Sequence, residues 1–201
     1  MTLPRTLGLT LFAAGMACSQ LAAAASIRFD PAAIDDLAIG DRLTLDIVGS
    51  DFTAGSAGGG VNLKWDAAVL SIAAAADIEL LFPGDQFFFS KGTLDNAGGT
   101  LTNLSTNSFN GIVDSSFTIA RIAFTALAAG SSLIALDLGS FGGGGSNVWT
   151  TAAGAEITDL SFEAASVTVA PVPLPAALGL MPGALAVLAL RLRSRKPEAR
   201  V

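Results

Sequence analysis

The carboxylate side chains are the groups in this sequence with the widest capacity for chemistry. The chain of 201 residues has 17 Asp and Glu residues but no His and no Tyr. Two suitably placed carboxylates can hydrolyse a glycosidic bond, one as an acid and the other as a base or nucleophile. With so many acidic residues some pair is always available, so the pattern singles out no site. We therefore expect a non-enzymatic protein and assign no catalytic residues.

The sequence also lacks most side chains that activate nucleophiles or bind metals. The absence of His excludes Ser–His and Cys–His pairs and most zinc and copper sites. Calcium needs only oxygen ligands, and Asp35-Asp36, Asp85 and Asp95 stand in loop-like sequence. Because they lack the spacing of a calcium loop, we interpret them as solvated turn carboxylates. We predict no metal site and no cofactor.

Two glycine-rich stretches, Gly55–Gly60 and Gly139–Gly145, raise the question of phosphate binding. A phosphate loop ends in Lys followed by Ser or Thr and leads into a helix. Neither stretch has these residues, so we predict flexible loops that join strands.

Trp149 and Phe87-Phe88-Phe89 are aromatic residues outside the alternating strands described next. Exposed rings could stack on a glycan, whereas buried rings would pack in a core. The sequence shows no planar strip of aromatics, so core packing is the favoured interpretation and glycan binding is the alternative.

The elements that must position these side chains are β-strands, because apolar residues alternate with polar ones. The alternating segments are Arg42–Ile47, Val61–Asp66, Ala120–Ala126, Leu133–Leu138 and Ser161–Val169. Alternate side chains of a strand face opposite sides, so this pattern predicts half-buried antiparallel strands. We predict an all-β sandwich. The side chains expected in its core are Leu45, Leu63, Trp65, Ile122, Phe124, Leu136 and Phe162. Ala67–Asp77 has room for a helical turn.

The segment 26–170 is strongly acidic. It carries 16 acidic and five basic residues, which gives a formal charge of −11. Such a surface repels nucleic acid and anionic lipid, so we expect no nucleic-acid partner. Its length suits one domain with its own core.

The N-terminal sequence is typical of a signal peptide. Met1–Arg5 carries a positive charge, and Leu7–Ala17 is an apolar run too short for a stable membrane span. Signal peptidase requires small residues at positions −3 and −1, which Ala23 and Ala25 supply. We predict a signal peptide over residues 1–25, with an error of about two residues in the cut, and signal peptidase as a partner.

Two alternatives exist for this segment. It could stay uncut as a membrane helix, or Cys18 could be lipidated as in a lipoprotein signal. Gly15-Met16-Ala17 precedes Cys18, without the leucine usual three residues upstream of a lipidated cysteine. If Cys18 is removed, the exported protein has no thiol.

The C-terminal sequence combines a proline motif, an apolar run and a basic cluster. The motif is Val172, Pro173, Leu174 and Pro175, the run is Ala176–Leu190, and the cluster is Arg191, Arg193, Arg195 and Lys196. About 15–19 apolar residues barely span the hydrocarbon core, and the basic cluster stops transfer and fixes that end in the cytoplasm. The prolines keep the motif extended, which leaves it accessible to a peptidase.

This tail resembles a PEP-CTERM sorting signal over residues 171–201, with a transmembrane helix at about 174–192. The resemblance implies processing near the proline motif by an exosortase, a membrane-embedded cysteine peptidase. It also implies delivery to the envelope or exopolysaccharide of a Gram-negative bacterium. Leu174 stands where the motif usually has Glu, and Met181-Pro182 interrupts the helix. The alternative is a plain C-terminal anchor that is never cut.

The segment 26–170 resembles a cohesin-like domain of the carbohydrate-binding-module type, a nine-stranded jelly-roll β-sandwich. The matching stretches are Gly40–Val48, Gly60–Ile72 and Ala120–Leu138, with Trp65-Asp66 at the aromatic-Asp position of the strand and turn. Cohesins bind dockerins in cellulose-degrading assemblies, but function does not follow from fold. No dockerin-binding surface can be mapped from the sequence.

Together these features predict an exported, non-enzymatic protein of the cell surface or exopolysaccharide. We expect association with the membrane through the C-terminal tail, followed by transfer to the cell surface or extracellular matrix. The cohesin-like domain would bind carbohydrate or a protein partner. The alternative is a purely structural or adhesive matrix protein with a plain membrane anchor.

Overall fold

The computed structural model describes residues 24–85, 87–140 and 147–172. Within them the chain forms 14 strands and a short 3₁₀ helix, Ala75–Asp77, which falls in the stretch with room for a helical turn. The strands are β1 Ala25–Asp30, β2 Ala33–Leu37, β3 Arg42–Ser50, β4 Ser56–Lys64, β5 Leu70–Ser71, β6 Ile78–Leu80, β7 Ser90–Asp95, β8 Thr100–Ile112, β9 Phe117–Ala126, β10 Gly130–Gly139, β11 Trp149–Thr150, β12 Glu156–Ile157, β13 Leu160–Phe162 and β14 Ala165–Val169.

The first sheet has six strands in the order β13-β1-β3-β9-β5, and β6 also pairs with β9. Leu45 of β3 and Ile78 of β6 both lie opposite Ile122 of β9. All three side chains are buried, so this row forms the first wall of the core.

The second sheet has eight strands along the path β12-β11-β4-β10-β14-β2, with β8 beside β4 and β7 beside β8. Leu63 of β4 lies between Leu136 of β10 and Leu101 of β8. These buried side chains form the facing wall. The prediction of an all-β sandwich is thus confirmed.

Two pairs of strands cross together from the first sheet to the second. β1 leads into β2 and β13 into β14, with two residues between the members of each pair. β1 pairs with β13, and β2 with β14, in parallel. The predicted strand Ser161–Val169 is therefore two strands in different sheets, and the expectation of only antiparallel pairing is wrong at these two places.

Most of the predicted core side chains are buried: Leu45, Leu63, Trp65, Ile122, Phe124 and Leu136. Trp65 donates from Nε1 to the Leu70 carbonyl at 3.0 Å, and its ring meets Phe124 edge-on with centroids 5.5 Å apart. Phe162 is only partly buried. The reason is that β13 is an edge strand that pairs with β1 alone.

The first glycine-rich stretch is part of strand β4 and not a loop. A Cβ on Gly59 would lie 2.5 Å from the ring of Trp149, whose Nε1 donates to the Gly60 carbonyl at 3.0 Å. Glycine is needed here so that the indole can lie directly on the strand. The prediction of a flexible loop at Gly55–Gly60 is wrong for this reason. In the second stretch Gly139 ends β10, and residues 141–146 lie outside the described part of the chain.

The strand connections separate into two ends of the sandwich. We call one the tail end, because it holds the last described residues, 170–172, beside the loops 38–41, 65–69, 96–99 and 127–129. Backbone hydrogen bonds tie it together, since Ala170 N donates to Leu37 O at 2.7 Å and Leu127 N donates to Val69 O at 2.8 Å.

We call the opposite end the aromatic end. It holds Ala24, at the start of β1, and the loops 51–55, 81–85, 87–89 and 113–116. Phe52 N donates to Ser115 O at 2.9 Å, which joins two of these loops. The two ends therefore carry different parts of the chain.

Candidate binding surface

Four aromatic side chains fill the core beneath the aromatic end: Phe52, Phe82, Phe117 and Trp149. Trp149 stacks on Phe117 with centroids 6.2 Å apart, and Phe52 lies 4.8 Å from Phe117. Phe82 meets Phe117 edge-on at 5.1 Å. Trp149 is only 1% exposed, so the core-packing interpretation is confirmed for this residue.

Four other phenylalanines point outward at the same end, and we call them the phenylalanine cluster. Phe87, Phe88 and Phe89 are 62%, 58% and 59% exposed, and Phe109 is 78% exposed. The ring of Phe87 lies 4.5 Å from that of Phe88 and 6.0 Å from that of Phe109. Core packing is therefore wrong for Phe87-Phe88-Phe89. The physical reason is that the core below them is already filled by four other aromatic rings.

The loop that carries Phe87, Phe88 and Phe89 is anchored before these residues and at Phe88. Before the cluster, Phe82 is buried among the core aromatics, and Leu81 N donates to Ile119 O at 3.0 Å. Within the cluster, Phe88 N donates to Asn107 Oδ1 at 2.6 Å. The exposed rings thus extend from a fixed base.

Asp85 provides a third anchor and links the loop to β8. Its Oδ1 accepts the Ser108 hydroxyl at 2.6 Å and the Phe109 amide at 2.8 Å, and its Oδ2 accepts Asn110 Nδ2 at 3.2 Å. The Ser108 hydrogen bond lowers the pKa of Asp85 and outweighs the opposing effect of desolvation, and the Phe109 amide lowers it further by a smaller amount. The ionised carboxylate is the form that accepts all these donors, so it is the form that holds the loop.

A groove runs beside the cluster on the outer face of the second sheet. Gly58 of β4 pairs with Asn107 of β8 on one side and with Thr150 of β11 on the other. Because Gly58 has no side chain, it forms the floor of the groove, and its neighbours Asn107 and Thr150 form the two walls. The space measures about 380 Å³ and is also lined by Phe109 and Val148. We call it the glycine-floored groove.

Two carboxylates lie near this groove, outside its lining. Glu156 of β12 lies directly opposite Thr150 and therefore extends the same row of outward side chains. Asp85 lies at the other side, next to Phe109. The described lining of the groove contains no basic side chain. Exposed phenylalanines beside a polar-walled groove with carboxylates nearby suit a ligand that combines apolar with polar or basic groups.

The residues predicted for sorting and cleavage fall mostly outside the described residues: Ala23, Pro173, Leu174, Pro175, Arg191, Arg193, Arg195 and Lys196. Val172 is 66% exposed at the tail end. Ala25 is the first residue of β1.

Among residues 24–172 that the structure describes, no helix is long and apolar enough to cross a bilayer. The predicted helix at about 174–192 lies beyond them.

The carboxylates considered for calcium are separated in the structure. Asp35 and Asp36 lie in β2 at one edge of the second sheet, so their interpretation as turn carboxylates is wrong, because this segment pairs with β14. Asp95 accepts the amides of Ala97 and Gly98, both at 3.0 Å, as expected of a turn carboxylate. In the described part of the chain no group of three acidic side chains is placed to hold a metal ion.

Comparison with solved structures identifies cohesin domains as similar in fold. The third cohesin of ScaC from Acetivibrio cellulolyticus, solved in complex with the ScaB dockerin, has a TM-score of 0.55 at 13% identity over 72% of this chain and 98% of that one. The seventh ScaB type I cohesin from Pseudobacteroides cellulosolvens has a TM-score of 0.54 at 16% identity, covering 76% and 96%. A type II cohesin domain from Acetivibrio cellulolyticus has a TM-score of 0.50 at 19% identity, covering 72% and 95%.

These likenesses define the class of fold: the described residues form a cohesin-like β-sandwich. At such identities they show the fold alone. No protein-family model and no curated protein sequence matches the chain.

Proposed function

We propose that this chain is an exported, non-enzymatic envelope protein whose cohesin-like domain binds a protein partner through the phenylalanine cluster and the glycine-floored groove. The observation that carries the proposal is the outward display of four phenylalanines, three on an anchored loop and Phe109 on the neighbouring strand β8. Contiguous exposed apolar patches are rare on monomeric proteins and usually mark sites of interaction.

The arrangement of the rings favours a protein over a glycan. A sugar ring stacks on a flat aromatic face, whereas the Phe87 ring is inclined at 79° to Phe88 and at 58° to Phe109. Inclined rings form a pocketed surface that accepts branched apolar side chains. Solved cohesins of this fold include one in complex with a dockerin, which supports a protein as the ligand here.

Carbohydrate binding is the second candidate. The polar walls of the groove, Asn107 and Thr150, stand beside the exposed ring of Phe109. Polar groups next to an aromatic ring are the elements of a saccharide site. In this alternative the groove, and not the inclined rings of Phe87 and Phe88, would be the contact surface.

We also propose the route by which the domain reaches the surface: cleavage by signal peptidase and sorting by an exosortase-type peptidase. The support is the N-terminal signal sequence, the Val172–Pro175 motif, the apolar run and the basic cluster. Val172 is exposed and lies two residues after Ala170, whose amide bonds to the sandwich at Leu37. A peptidase would therefore find the motif just outside the folded domain.

The position of the tail also suits display of the binding surface. The chain leaves the sandwich at the tail end, whereas the phenylalanine cluster lies at the aromatic end. Attachment through the tail would thus direct the cluster away from the point of attachment. The alternative is a structural or adhesive matrix protein with a plain anchor, for which the cluster would need no specific partner.

Site-specific photo-crosslinking in the native host tests the binding proposal. A benzophenone amino acid would replace Phe87 in the full chain, and Leu133, which is 64% exposed on β10, would be the matched control. We expect a discrete protein adduct at Phe87 that is absent at Leu133 and disappears when Phe109 is changed to Ser. Adducts to polysaccharide alone would favour the second candidate, and equal, diffuse adducts at both positions would contradict a defined site.

The test on a glycan array uses Phe109→Ser as its control variant, because Trp149 is buried and Trp149→Ala would disturb the fold. Binding of the wild-type chain to a defined glycan, lost in Phe109→Ser, would establish carbohydrate recognition. Absence of binding together with a protein adduct would exclude it.

A further inference from the structure

Asn110-Gly111 is the only Asn-Gly pair in the sequence, which contains six asparagines. Asn110 is exposed and directly follows Phe109 of the phenylalanine cluster. An asparagine that precedes glycine is open to deamidation, the conversion of its side-chain amide to an acid. The reason is that glycine has no side chain to shield its own amide nitrogen, which is the attacking group.

We propose that Asn110 is a deamidation site, and that its conversion to aspartate or isoaspartate releases the loop that carries Phe87, Phe88 and Phe89. The inference rests on the proposed binding function, because it describes how binding through the phenylalanine cluster would end. Since the ammonia that leaves is lost to solvent, the change runs in one direction and increases with the age of the chain.

The reaction requires only this chain and water. Hydroxide removes the proton of the Gly111 amide, and the nitrogen then attacks Cγ of Asn110 to form a new N–C bond. The bond between Cγ and Nδ2 breaks, and the leaving nitrogen takes a proton from water and departs as ammonia, which restores the hydroxide. A second water opens the succinimide ring at either carbonyl and gives aspartate or isoaspartate.

Strand β8 departs from regular pairing at this dipeptide. Between its pairs with Gly58 and Ser56 of β4, β8 advances from position 107 to position 112, whereas β4 advances by only two positions. Residues 108–111 therefore bulge from the ladder, and Gly111 has a left-handed φ of 67°. A bulged backbone is less restrained than a paired one, so it resists the bend of ring closure less.

The other asparagines of the described residues differ from Asn110 in one of two ways. Four are partly buried and form hydrogen bonds through their side chains: Asn62, Asn96, Asn103 and Asn107. Asn147 is exposed but precedes Val148, whose branched side chain shields the amide nitrogen. Asn110 is both exposed and followed by glycine, so we expect it to react first.

The reaction would change a contact that anchors the loop. Asn110 Nδ2 donates to Asp85 Oδ2 at 3.2 Å, while Asp85 Oδ1 accepts Ser108 and Phe109. Deamidation replaces this donor with a carboxylate, which only accepts, so the hydrogen bond is lost and two negative charges face each other. Isoaspartate also adds a methylene group to the main chain between Phe109 and Gly111. Both changes weaken the anchor at Asp85.

Peptide mapping by mass spectrometry tests the reaction itself. The purified full chain is incubated at several pH values, and conversion of amide to acid is followed at each asparagine. We expect conversion at Asn110 to be at least about tenfold faster than at Asn147 and to rise with hydroxide concentration. Equal rates at the two positions would overturn the inference.

The variant that blocks the reaction is Asn110→Gln. Glutamine keeps an amide donor but must close a six-membered ring, so conversion at position 110 should cease on the same timescale. Gly111→Ala is unsuitable, because its Cβ would lie 2.8 Å from Ala152 Cα and would disturb the fold. Asn110→Asp supplies the charge of the product from the start.

The effect on binding is tested with the benzophenone at position 87 in the native host. Protein synthesis is stopped, the chains age on the cells, and irradiation follows. Amide and acid forms of position 110 are then present together. We expect the acid forms to be at least about tenfold less abundant among chains with the partner adduct than among chains without it. Equal proportions would overturn the inference.

The fresh variants separate this inference from the proposed function. A strong adduct in Asn110→Gln and a weak one in Asn110→Asp would support both, whereas equal adducts would overturn the release and leave the binding proposal standing. Absence of the adduct in fresh wild type would overturn the binding proposal. Release would still be supported if hydrogen exchange at the Phe109 amide were faster in Asn110→Asp than in Asn110→Gln, and equal exchange would overturn it.

Discussion

The aromatic end and the tail end each contain a buried tryptophan that bonds to a backbone carbonyl, but the two ends present different surfaces. At each end a buried tryptophan donates from Nε1 to a backbone carbonyl at 3.0 Å: Trp149 to Gly60 and Trp65 to Leu70. The tail end is closed by short loops of three to five residues, whereas residues 81–89 connect β6 to β7 at the aromatic end.

The longer connection explains the difference between the surfaces. It is long enough to bury Phe82, bond Asp85 to β8 and still hold three phenylalanines outward. The short loops of the tail end expose aliphatic side chains such as Ile39 and Leu127, and no phenylalanine in the described residues there is exposed. The core therefore stabilises both ends. The longest loop, which connects β6 to β7, carries three of the four phenylalanines proposed to bind the partner.

The largest expected effect is on stability, and it should be similar at the two ends. Trp149→Ala and Trp65→Ala should each lower the free energy of unfolding by about 3–5 kcal/mol, because each removes a fully packed ring and leaves a cavity. Chemical denaturation followed by circular dichroism measures this. A loss below about 1 kcal/mol at either position would show that the ring does not hold that end.

A second prediction separates binding from stability. Phe88→Ser and Phe109→Ser should leave the free energy of unfolding within about 0.5 kcal/mol of wild type, because both rings are exposed. The same changes should remove the partner adduct. Ile39→Ser and Leu127→Ser at the tail end are the matched controls, and loss of the adduct in these controls would contradict the assignment of binding to one end.

The smallest expected effect is local and depends on pH. The pKa of Asp85 is lowered in the folded chain, chiefly by the Ser108 hydroxyl. The ionised carboxylate of Asp85 therefore stabilises the loop fully above the ordinary carboxyl pKa of about 3.9. This stabilisation is lost as the pH falls through the lowered pKa that Asp85 has in the folded chain. Hydrogen exchange at the Phe109 amide, corrected for its intrinsic rate, should accelerate only in that acidic range.

The matched variants for this prediction are Asp85→Ala and Asp95→Ala. Asp95 accepts two amides within its own turn at the tail end, whereas Asp85 joins positions 23 and 24 residues apart. Asp85→Ala should make exchange at Phe109 fast at neutral pH and weaken the adduct at Phe87. If Asp95→Ala has the same effect, the carboxylates act through general stability and not through the loop.

The alternating strands could be predicted from the sequence because their signal is local. Leu45, Leu63 and Ile122 are buried, and each occupies an inward position of a strand in which apolar and polar residues alternate. The alternation shifts where the chain changes sheet, from Leu160 and Phe162 in β13 to Ala165, Val167 and Val169 in β14. This shift is hard to see in the sequence because Ala164 and Ala165, where it occurs, are both apolar. The predicted loop at Gly55–Gly60 is wrong because Trp149, about 90 positions away along the chain, packs on these glycines within strand β4.

The binding surface could be predicted only in part. Phe87-Phe88-Phe89 stand out in the sequence, but whether they face inward depends on how many other aromatics already fill the core. The signal that favours exposure is the turn sequence Pro83-Gly84-Asp85, which ends two positions before Phe87 and indicates a loop at the surface. The groove has no sequence signature, because it arises from the pairing of Gly58 with Asn107 and Thr150.

Hydroxyl-radical footprinting on intact cells tests the central claim, that the aromatic end is the binding end, most directly. Oxidation of Phe87, Phe88, Phe89 and Phe109 would be measured by mass spectrometry on the cell surface and in the purified chain, with Leu133 as the internal reference. We predict strong oxidation of the cluster in the purified chain and marked protection on cells, at unchanged oxidation of Leu133. Equal oxidation of the cluster in both samples would show that no partner covers it and would contradict the account.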